Sequence, residues 1–246
     1  NKIRQKLSKG EVSIGSWMQI PHSSVAEILG ESGFDWIALD MEHASISYSQ
    51  LPDLCRAIQL GNTLPIVRLL DGSPPNCKQA LDSGAGGVII PMVTNSEQLI
   101  NLRDSCYWPP RGKRGVGFSR ANLFGKYFEQ YYEEAQNPLL IAMIENSEAV
   151  ENLDSILRVK GLDAILIGPY DLSASLGITG DFENDKFIKI IDLIMKKCSK
   201  YKLPSGIHVV EPSEYKLQQA IKNGHQFLAY SIDAVMLLKT AKISEK

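Results

Sequence analysis

The chain has 246 residues, with 26 Lys and Arg against 28 Asp and Glu, so its formal net charge is −2. Hydrophobic residues make up 44% and charged residues 22% of the chain, which is ordinary for a globular domain and excludes an intrinsically disordered protein. The small net charge excludes a general nucleic-acid binder, which needs excess Lys and Arg to neutralise phosphates. Because no run of about 18 uncharged apolar residues is present, we expect no transmembrane helix and no membrane partner.

The chain begins with NKIRQKLSKG, which lacks the apolar core of a signal peptide. Its four cysteines have no metal-binding spacing, so we interpret them as reduced thiols. These observations predict a cytoplasmic protein.

Eight short apolar runs alternate with helix-like segments along the chain. The runs cover residues 12–18, 35–40, 64–69, 87–92, 139–145, 164–168, 204–210 and 227–233. They are almost continuously apolar, as is typical of parallel strands that are covered on both faces. The pattern predicts a (β/α)8 TIM barrel formed by a single domain over residues 1–246. A doubly wound sheet is the alternative, but no Gly-rich dinucleotide turn follows the first strand.

The connection between the fourth and fifth predicted strands is long. Beyond one helix it runs over residues 107–138 and is rich in aromatic residues and Arg. We interpret it as an insertion after strand 4, because long loops of this kind in barrels are often functional.

Ionisable side chains stand at the ends of several predicted strands. They are Asp40, Glu42 and His43 after the second strand, Arg68 on the third, Glu145 on the fifth, Asp171 after the sixth, His208 on the seventh and Asp233 on the eighth. Catalytic residues of barrels occupy the carboxyl ends of strands, and buried charges are costly unless they are paired or bound to metal. We therefore expect an active site at this end.

Glu145 and Asp171 form a candidate metal site. Two carboxylates without neighbouring Cys or paired His suit a hard cation such as Mg²⁺ or Mn²⁺. The alternative is one helix-capping acid and one loop acid.

His43 and Arg68 are the other candidate catalytic residues. The nearby Asp40 could orient His43 as a base. Arg68 suits a substrate carboxylate or a developing oxyanion, and a salt bridge to Glu42 is compatible with that role. The cases for the other histidines are weaker: we expect His225 to be structural, and the direction of His208 stays open.

Several classes of barrel enzyme are disfavoured by what the strand ends lack. No predicted strand end carries Lys, which argues against a Schiff-base aldolase. The seventh and eighth strands lack Gly-rich phosphate turns, which argues against a phosphorylated substrate.

Six segments of the sequence form one ordered set of motifs. They are LDMEHAS, PIVRL, GGVIIPMV, PPRGKRGVG, the IEN of LLIAMIEN, and GPYDLSASLG. Together they resemble the metal-dependent (class II) pyruvate aldolases, and the resemblance runs in order from about residue 10 to 240. The most similar members are 4-hydroxy-2-oxoheptanedioate aldolase, 2-dehydro-3-deoxyglucarate aldolase and 3-deoxyrhamnonate aldolase. The citrate lyase β and malyl-CoA lyase group is more distant.

The resemblance implies a reaction and a set of roles. The enzyme would cleave a 4-hydroxy-2-oxo acid to pyruvate and an aldehyde, with Mg²⁺ or Mn²⁺ (Co²⁺ as a third candidate) and no organic cofactor. Glu145 and Asp171 would hold the metal, and backbone amides around Tyr170 and Asp171 would bind the pyruvate carboxylate. Arg68 would stabilise the enolate and the aldol oxyanion. His43 would take the proton of the C4 hydroxyl.

The resemblance also implies a tuning acid and an assembly. Asp82 matches the family acid that raises the basicity of His43, whereas spacing alone points to Asp40. The family forms homohexamers with exchanged C-terminal helices, which here would be the segment from Asp233 onward.

Two positions depart from the family pattern. Met143 stands where the family usually has a Gln that helps to bind the keto acid. Tyr170 stands where a small residue is common, and it would narrow the pocket near the carboxylate.

The aldehyde partner stays open at this point. A CoA-thioester lyase of the citrate or malyl-CoA type is one alternative function. A barrel that has lost catalysis is another, and Met143 is the residue that favours it.

Overall fold

The computed structural model describes residues 1–242 and shows a closed barrel of eight parallel strands in sequential order, which confirms the predicted (β/α)8 fold. The strands are β1 Ser13–Met18, β2 Trp36–Asp40, β3 Leu64–Arg68, β4 Gly87–Ile90, β5 Leu139–Ile144, β6 Ala164–Ile167, β7 Ser205–Val209 and β8 Phe227–Ile232. Each lies within its predicted apolar run.

Twelve α-helices flank the strands within residues 1–242. They are α1 Lys2–Ser8, α2 Ser23–Glu31, α3 Leu51–Leu60, α4 Pro74–Asp82, α5 Ser96–Cys106, α6 Phe128–Ala135, α7 Ser147–Glu151, α8 Leu153–Ile156, α9 Pro169–Ser175, α10 Asp185–Tyr201, α11 Glu214–Lys222 and α12 Asp233–Ala241. None of the helices in this part of the chain combines the length and the apolar character needed to cross a bilayer.

Two apolar clusters hold the barrel together. The larger one lies between the strands and the surrounding helices, and the smaller one fills the barrel interior. In the interior, Trp36 stacks on Phe227 with ring centroids 4.4 Å apart. A Cβ atom at Gly15 would overlap the Trp36 ring, so this strand position requires glycine. Burial of the strands on both faces explains why their sequences are almost continuously apolar.

The long connection after α5 contains more secondary structure than its sequence indicated. Residues 107–138 include a short 3₁₀ helix, Arg120–Asn122, and then α6. The side chains of Phe118 and Phe124 are 73% and 66% exposed. Whether this segment is an insertion stays a prediction.

The last helix, α12, follows β8 directly. The segment predicted to be exchanged between chains begins at Asp233, the first residue of α12. The last four residues of that segment, 243–246, lie outside the described part of the chain. Leu237 and Leu238 on α12 are 59% and 75% exposed. The exchange of this helix between chains stays a prediction.

Candidate active site at the carboxyl end of the barrel

The strand ends bring most of the predicted site residues to one rim. Asp40 is the last residue of β2, Arg68 is the last residue of β3, Glu145 directly follows β5, and Asp171 lies in the first turn of α9 after β6. Because all eight strands are parallel, their carboxyl ends form a single mouth.

The centre of the β2–β3 side is a buried ion pair. Arg68 donates from Nε to Asp40 Oδ1 at 2.9 Å and from Nη2 to Asp40 Oδ2 at 2.7 Å. The parallel register places the two residues opposite each other on adjacent strands. Burial would raise the pKa of Asp40, but the hydrogen bonds and the charge of Arg68 outweigh it and hold this pKa below its usual value. Asp40 is therefore an ionised anchor for Arg68.

Two further contacts fix the guanidinium of Arg68. Its Nη1 lies 2.9 Å from Glu42 Oε2, so the expected salt bridge is confirmed. The guanidinium also lies over the Trp17 ring, 5.3 Å from its centroid. The pKa of Glu42 is raised, chiefly by burial, although the positive charges of Arg68 and His43 oppose the shift. Arg68 is thus a rigid positive group that faces the mouth of the barrel.

His43 is exposed beside this pair, and its backbone N–H donates to Asp40 Oδ1 at 3.1 Å. Among residues 1–242, no hydrogen bond joins its imidazole to either candidate tuning acid. Asp40 is engaged by Arg68. Asp82 ends α4 on the side where the strands begin, and it pairs with Arg114 at 3.1 Å. The tuning of His43 by either carboxylate stays a prediction.

Glu145 is a buried carboxylate that accepts a hydrogen bond at only one of its two oxygens within the described residues. It is 2% exposed, and its Oε1 accepts a hydrogen bond from the backbone N–H of Met92 at 2.5 Å. Its Oε2 accepts none within the described residues. Burial raises the pKa of Glu145 to about 7, and the negative charges of Glu42 and Asp171 add to the shift. The Met92 hydrogen bond and the charge of Arg68 oppose it without restoring the usual pKa. A nearby cation is what would stabilise the ionised form of this group.

Gly168 makes room for this carboxylate. A Cβ at Gly168 would lie 2.8 Å from Glu145 Oε2 and 3.0 Å from Glu145 Cβ. Any side chain at this position would push Glu145 aside. The close approach of the β6 end to Glu145 therefore depends on glycine.

Asp171 and Tyr170 lie in the first turn of α9 and are exposed. The Tyr170 ring packs edge-on against Phe182, with centroids 5.0 Å apart. No group of three or more His, Cys, Asp or Glu in residues 1–242 has the geometry of a complete metal site. Two carboxylates would leave the other positions of an octahedral ion to water and substrate oxygens, as is usual for Mg²⁺.

Met143 lies on β5 inside the barrel and is 3% exposed. Its terminal methyl group would be 3.2 Å from a Cβ at Gly168, so it lies next to the Glu145 carboxylate. A thioether is at most a weak hydrogen-bond acceptor. This side of the mouth therefore has no side-chain amide at position 143.

The remaining histidines have defined places. His225 is buried near the start of β7, where its Nδ1 lies 3.3 Å from Ser205 Oγ, so its predicted structural role is confirmed. The His208 ring stacks on Trp17 at 4.8 Å, and its Nε2 lies 3.1 Å from the Ser231 carbonyl oxygen. Burial lowers the pKa of His208 to about 4.

Gln19 is a further polar residue at this mouth that was not among the predicted site residues. Its side-chain Nε2 donates to Asp40 Oδ2 at 2.9 Å, and its backbone N–H donates to Asp233 Oδ1 at 2.9 Å. The signal in the sequence was a polar amide directly after the apolar run SIGSWM.

Comparison with known proteins identifies close relatives. The family model described as HpcH/HpaI aldolase/citrate lyase matches residues 13–240. The chain is 38% identical over 246 residues to hydroxypyruvate/pyruvate aldolase from Roseobacter denitrificans, covering 98% of this chain and 94% of that protein. It is 36% identical over 239 residues to 2-keto-3-deoxy-L-rhamnonate aldolase from Escherichia coli K12, covering 96% and 88% of the two chains.

One solved structure shares the entire fold. It is an HpcH/HpaI aldolase/citrate lyase family protein from Burkholderia cenocepacia J2315, with a TM-score of 0.92 and 28% identity. The match covers 98% of this chain and 96% of that one. The similarity therefore includes the barrel and all the strand ends described above.

Proposed function

Because the chain belongs to the HpcH/HpaI aldolase/citrate lyase family, we propose that it cleaves a 4-hydroxy-2-oxo acid reversibly to pyruvate and an aldehyde. The names of the two aldolase relatives support this reaction. The observation that carries the proposal is that two charged groups face the same opening of the barrel. One is the buried carboxylate of Glu145, whose Oε2 accepts no hydrogen bond within the described residues. The other is the guanidinium of Arg68, which is held by Asp40. This pairing suits a reaction that develops negative charge on oxygen.

Glu145 and Asp171 would hold a divalent cation, Mg²⁺ or Mn²⁺, with Co²⁺ as a third candidate. The burial of Glu145 and its free Oε2 support this assignment, because an ionised carboxylate in this setting needs a positive partner. When bound, the cation would act as a Lewis acid that withdraws electrons from the keto group of the substrate. The first turn of α9, around Tyr170 and Asp171, would bind the substrate carboxylate through backbone N–H groups.

Arg68 and His43 would carry out the proton and charge steps. His43 removes the proton of the C4 hydroxyl, and the C3–C4 bond then breaks to release the aldehyde. The electron pair of that bond moves onto the pyruvate half as an enolate, and protonation at C3 gives pyruvate. Arg68, held in place by Asp40, stabilises the developing negative charge. His43 is exposed at the mouth, where it can exchange its proton with water.

The proposal includes assembly into a homohexamer. Contacts between its subunits would bury the apolar side chains of α12 that are exposed in the single chain. Within one chain, Asp82 and His43 lie at opposite ends of the barrel. The assignment of Asp82 as the acid that tunes His43 therefore requires a second chain to bring Asp82 to the mouth. Mixing His43→Ala with Asp82→Ala subunits tests this, since restored activity in the mixture supports a shared site.

The test of the proposed function combines metal binding with turnover. We expect Glu145→Gln to abolish Mn²⁺ binding in a calorimetric titration, whereas Glu148→Gln, at an exposed glutamate on α7, keeps it. His43→Ala and Arg68→Ala should bind Mn²⁺ but lower pyruvate release from a 2-keto-3-deoxy acid at least about a hundredfold. Wild-type rates in either variant would refute the assigned role, and unchanged Mn²⁺ affinity in Glu145→Gln would refute the metal site.

A further inference from the structure

Gln19 lies at the carboxyl end of β1, across the mouth of the barrel from Glu145. In an eight-stranded barrel closed in sequential order, β1 is opposite β5. The Gln19 amide nitrogen donates to Asp40 Oδ2, and the same oxygen accepts a hydrogen bond from Arg68 Nη2. Gln19 is therefore adjacent to the group that would stabilise the aldol oxygen.

The orientation of the Gln19 amide is fixed by chemistry. An ionised carboxylate only accepts hydrogen bonds, so the NH₂ group of Gln19 must face Asp40 and its Oε1 must face away. The backbone is also fixed, because the N–H groups of Gln19 and Ile20 donate to the two oxygens of Asp233, each at 2.9 Å. Asp233 is only 6% exposed.

The Oε1 atom of Gln19 is an acceptor without a partner in the described part of the chain. None of the hydrogen bonds within residues 1–242 ends on it, although the residue is only partly exposed. A fixed acceptor beside a reaction centre discriminates strongly, because a substrate that lacks the matching donor leaves it unpaired.

We propose that Gln19 Oε1 accepts a hydrogen bond from a hydroxyl group on the aldehyde half of the substrate, so that the enzyme prefers hydroxyaldehydes to their deoxy analogues. This inference rests on the proposed function. The keto acid half occupies the side of Glu145 and Asp171, so the aldehyde half extends toward Arg68, His43 and the Gln19 amide. Gln19 thereby selects the substrate, while the charge steps belong to other residues.

The test is aldol addition of pyruvate, with Mn²⁺, to glycolaldehyde and to acetaldehyde, which differ by one hydroxyl. We expect wild-type kcat/KM to favour glycolaldehyde at least about tenfold, and Gln19→Met to lower this preference about tenfold. Gln19→Asn, which keeps an amide but withdraws it by one methylene, is a second variant and should also lose the preference. Circular dichroism and Mn²⁺ binding verify that each variant is folded.

The two aldehydes distinguish a selective role of Gln19 from a purely positioning one. An equal loss on both aldehydes in Gln19→Met would show that Gln19 only positions Asp40 and Arg68, and would overturn the inference. A wild-type enzyme without preference for glycolaldehyde would overturn it as well, while leaving the proposed function in place. A wild-type enzyme that adds pyruvate to neither aldehyde and releases no pyruvate from any keto acid would overturn the proposed function, and this inference with it.

Discussion

The guanidinium of Arg68 is joined to the carboxylate of Asp40 by two parallel hydrogen bonds, and both side chains are almost entirely buried. Bidentate pairs of this kind fix the plane of the guanidinium as well as its position. The remaining nitrogen, Nη1, contacts the partly exposed Glu42. Arg68 is therefore oriented before the substrate arrives, which is the condition under which a charged group lowers a reaction barrier most.

Asp40→Asn should disrupt this orientation. The amide replaces one acceptor oxygen with a donor that faces the guanidinium, so Arg68 loses a charge-assisted hydrogen bond and its fixed plane. We expect kcat to fall at least about a hundredfold. Glu42→Gln is the control, because it alters only the partly exposed contact, and it should lower kcat less than about tenfold. Steady-state kinetics with both variants, each verified to bind Mn²⁺, checks this, and near-wild-type turnover in Asp40→Asn would contradict it.

Gly168→Ala tests the space around Glu145. The added methyl group would approach Glu145 Oε2 to 2.8 Å and displace the carboxylate. We expect the Kd for Mn²⁺ to rise at least about tenfold, which corresponds to about 1.4 kcal/mol. Gly117→Ala is the matched control, because nothing within 4 Å would meet its Cβ. Equal Mn²⁺ affinities in the two variants, measured by titration, would contradict the role of Gly168.

Met143→Gln tests the departure from the family pattern. The new amide next to Glu145 can donate a hydrogen bond to the keto acid, and one such bond contributes about 1 kcal/mol, or about fivefold in affinity. We therefore expect a lower KM for pyruvate in the aldol direction. Met143→Leu, which conserves volume without adding a donor, should not show this gain. A KM for Met143→Gln that equals or exceeds that of Met143→Leu would show that the position does not contact the keto acid.

His225 should make stability depend on pH. Burial lowers its pKa from 6.5 to about 4, so between these values the unfolded chain binds a proton that the folded chain does not. The free energy of unfolding therefore falls as the pH drops below about 6.5, by about 1 kcal/mol between pH 6.5 and 5.5 for this residue. His225→Asn should remove that part of the slope, as urea unfolding at the two pH values would measure. An identical slope in the variant and the wild type would contradict the prediction.

The barrel was predictable because each strand is an almost continuous apolar run between polar helices. The helices α1 and α9 were harder to predict from the sequence than the strands. Only Ile3 and Leu7 of α1 are buried, and the Gly168–Pro169 pair at the start of α9 is typical of a turn. The segment after β5 forms two short helices, α7 and α8, where the sequence shows a single helix-like stretch.

The end of the barrel that carries the candidate site could also be predicted. Charged residues at the ends of buried strands indicated the mouth, and the family resemblance supplied the aldolase interpretation. The partners of Asp40 and Asp82 were not predictable, because they come from a neighbouring strand and from the long connection. Asp40 lies three residues before His43, yet the β2–β3 register gives its carboxylate to Arg68. Asp82 similarly pairs with Arg114, a residue of the long connection.

The most direct test of the central claim is the decarboxylation of oxaloacetate to pyruvate, because it generates the same enolate and requires no choice of aldehyde. The rate is measured with Mn²⁺ or Mg²⁺, after EDTA, and in Arg68→Ala, and the protein-free rate is subtracted each time. We predict pyruvate release that requires the metal and falls at least about a hundredfold in Arg68→Ala. Folded protein that releases no pyruvate with any of these metals, or that works equally well in EDTA, would contradict the account.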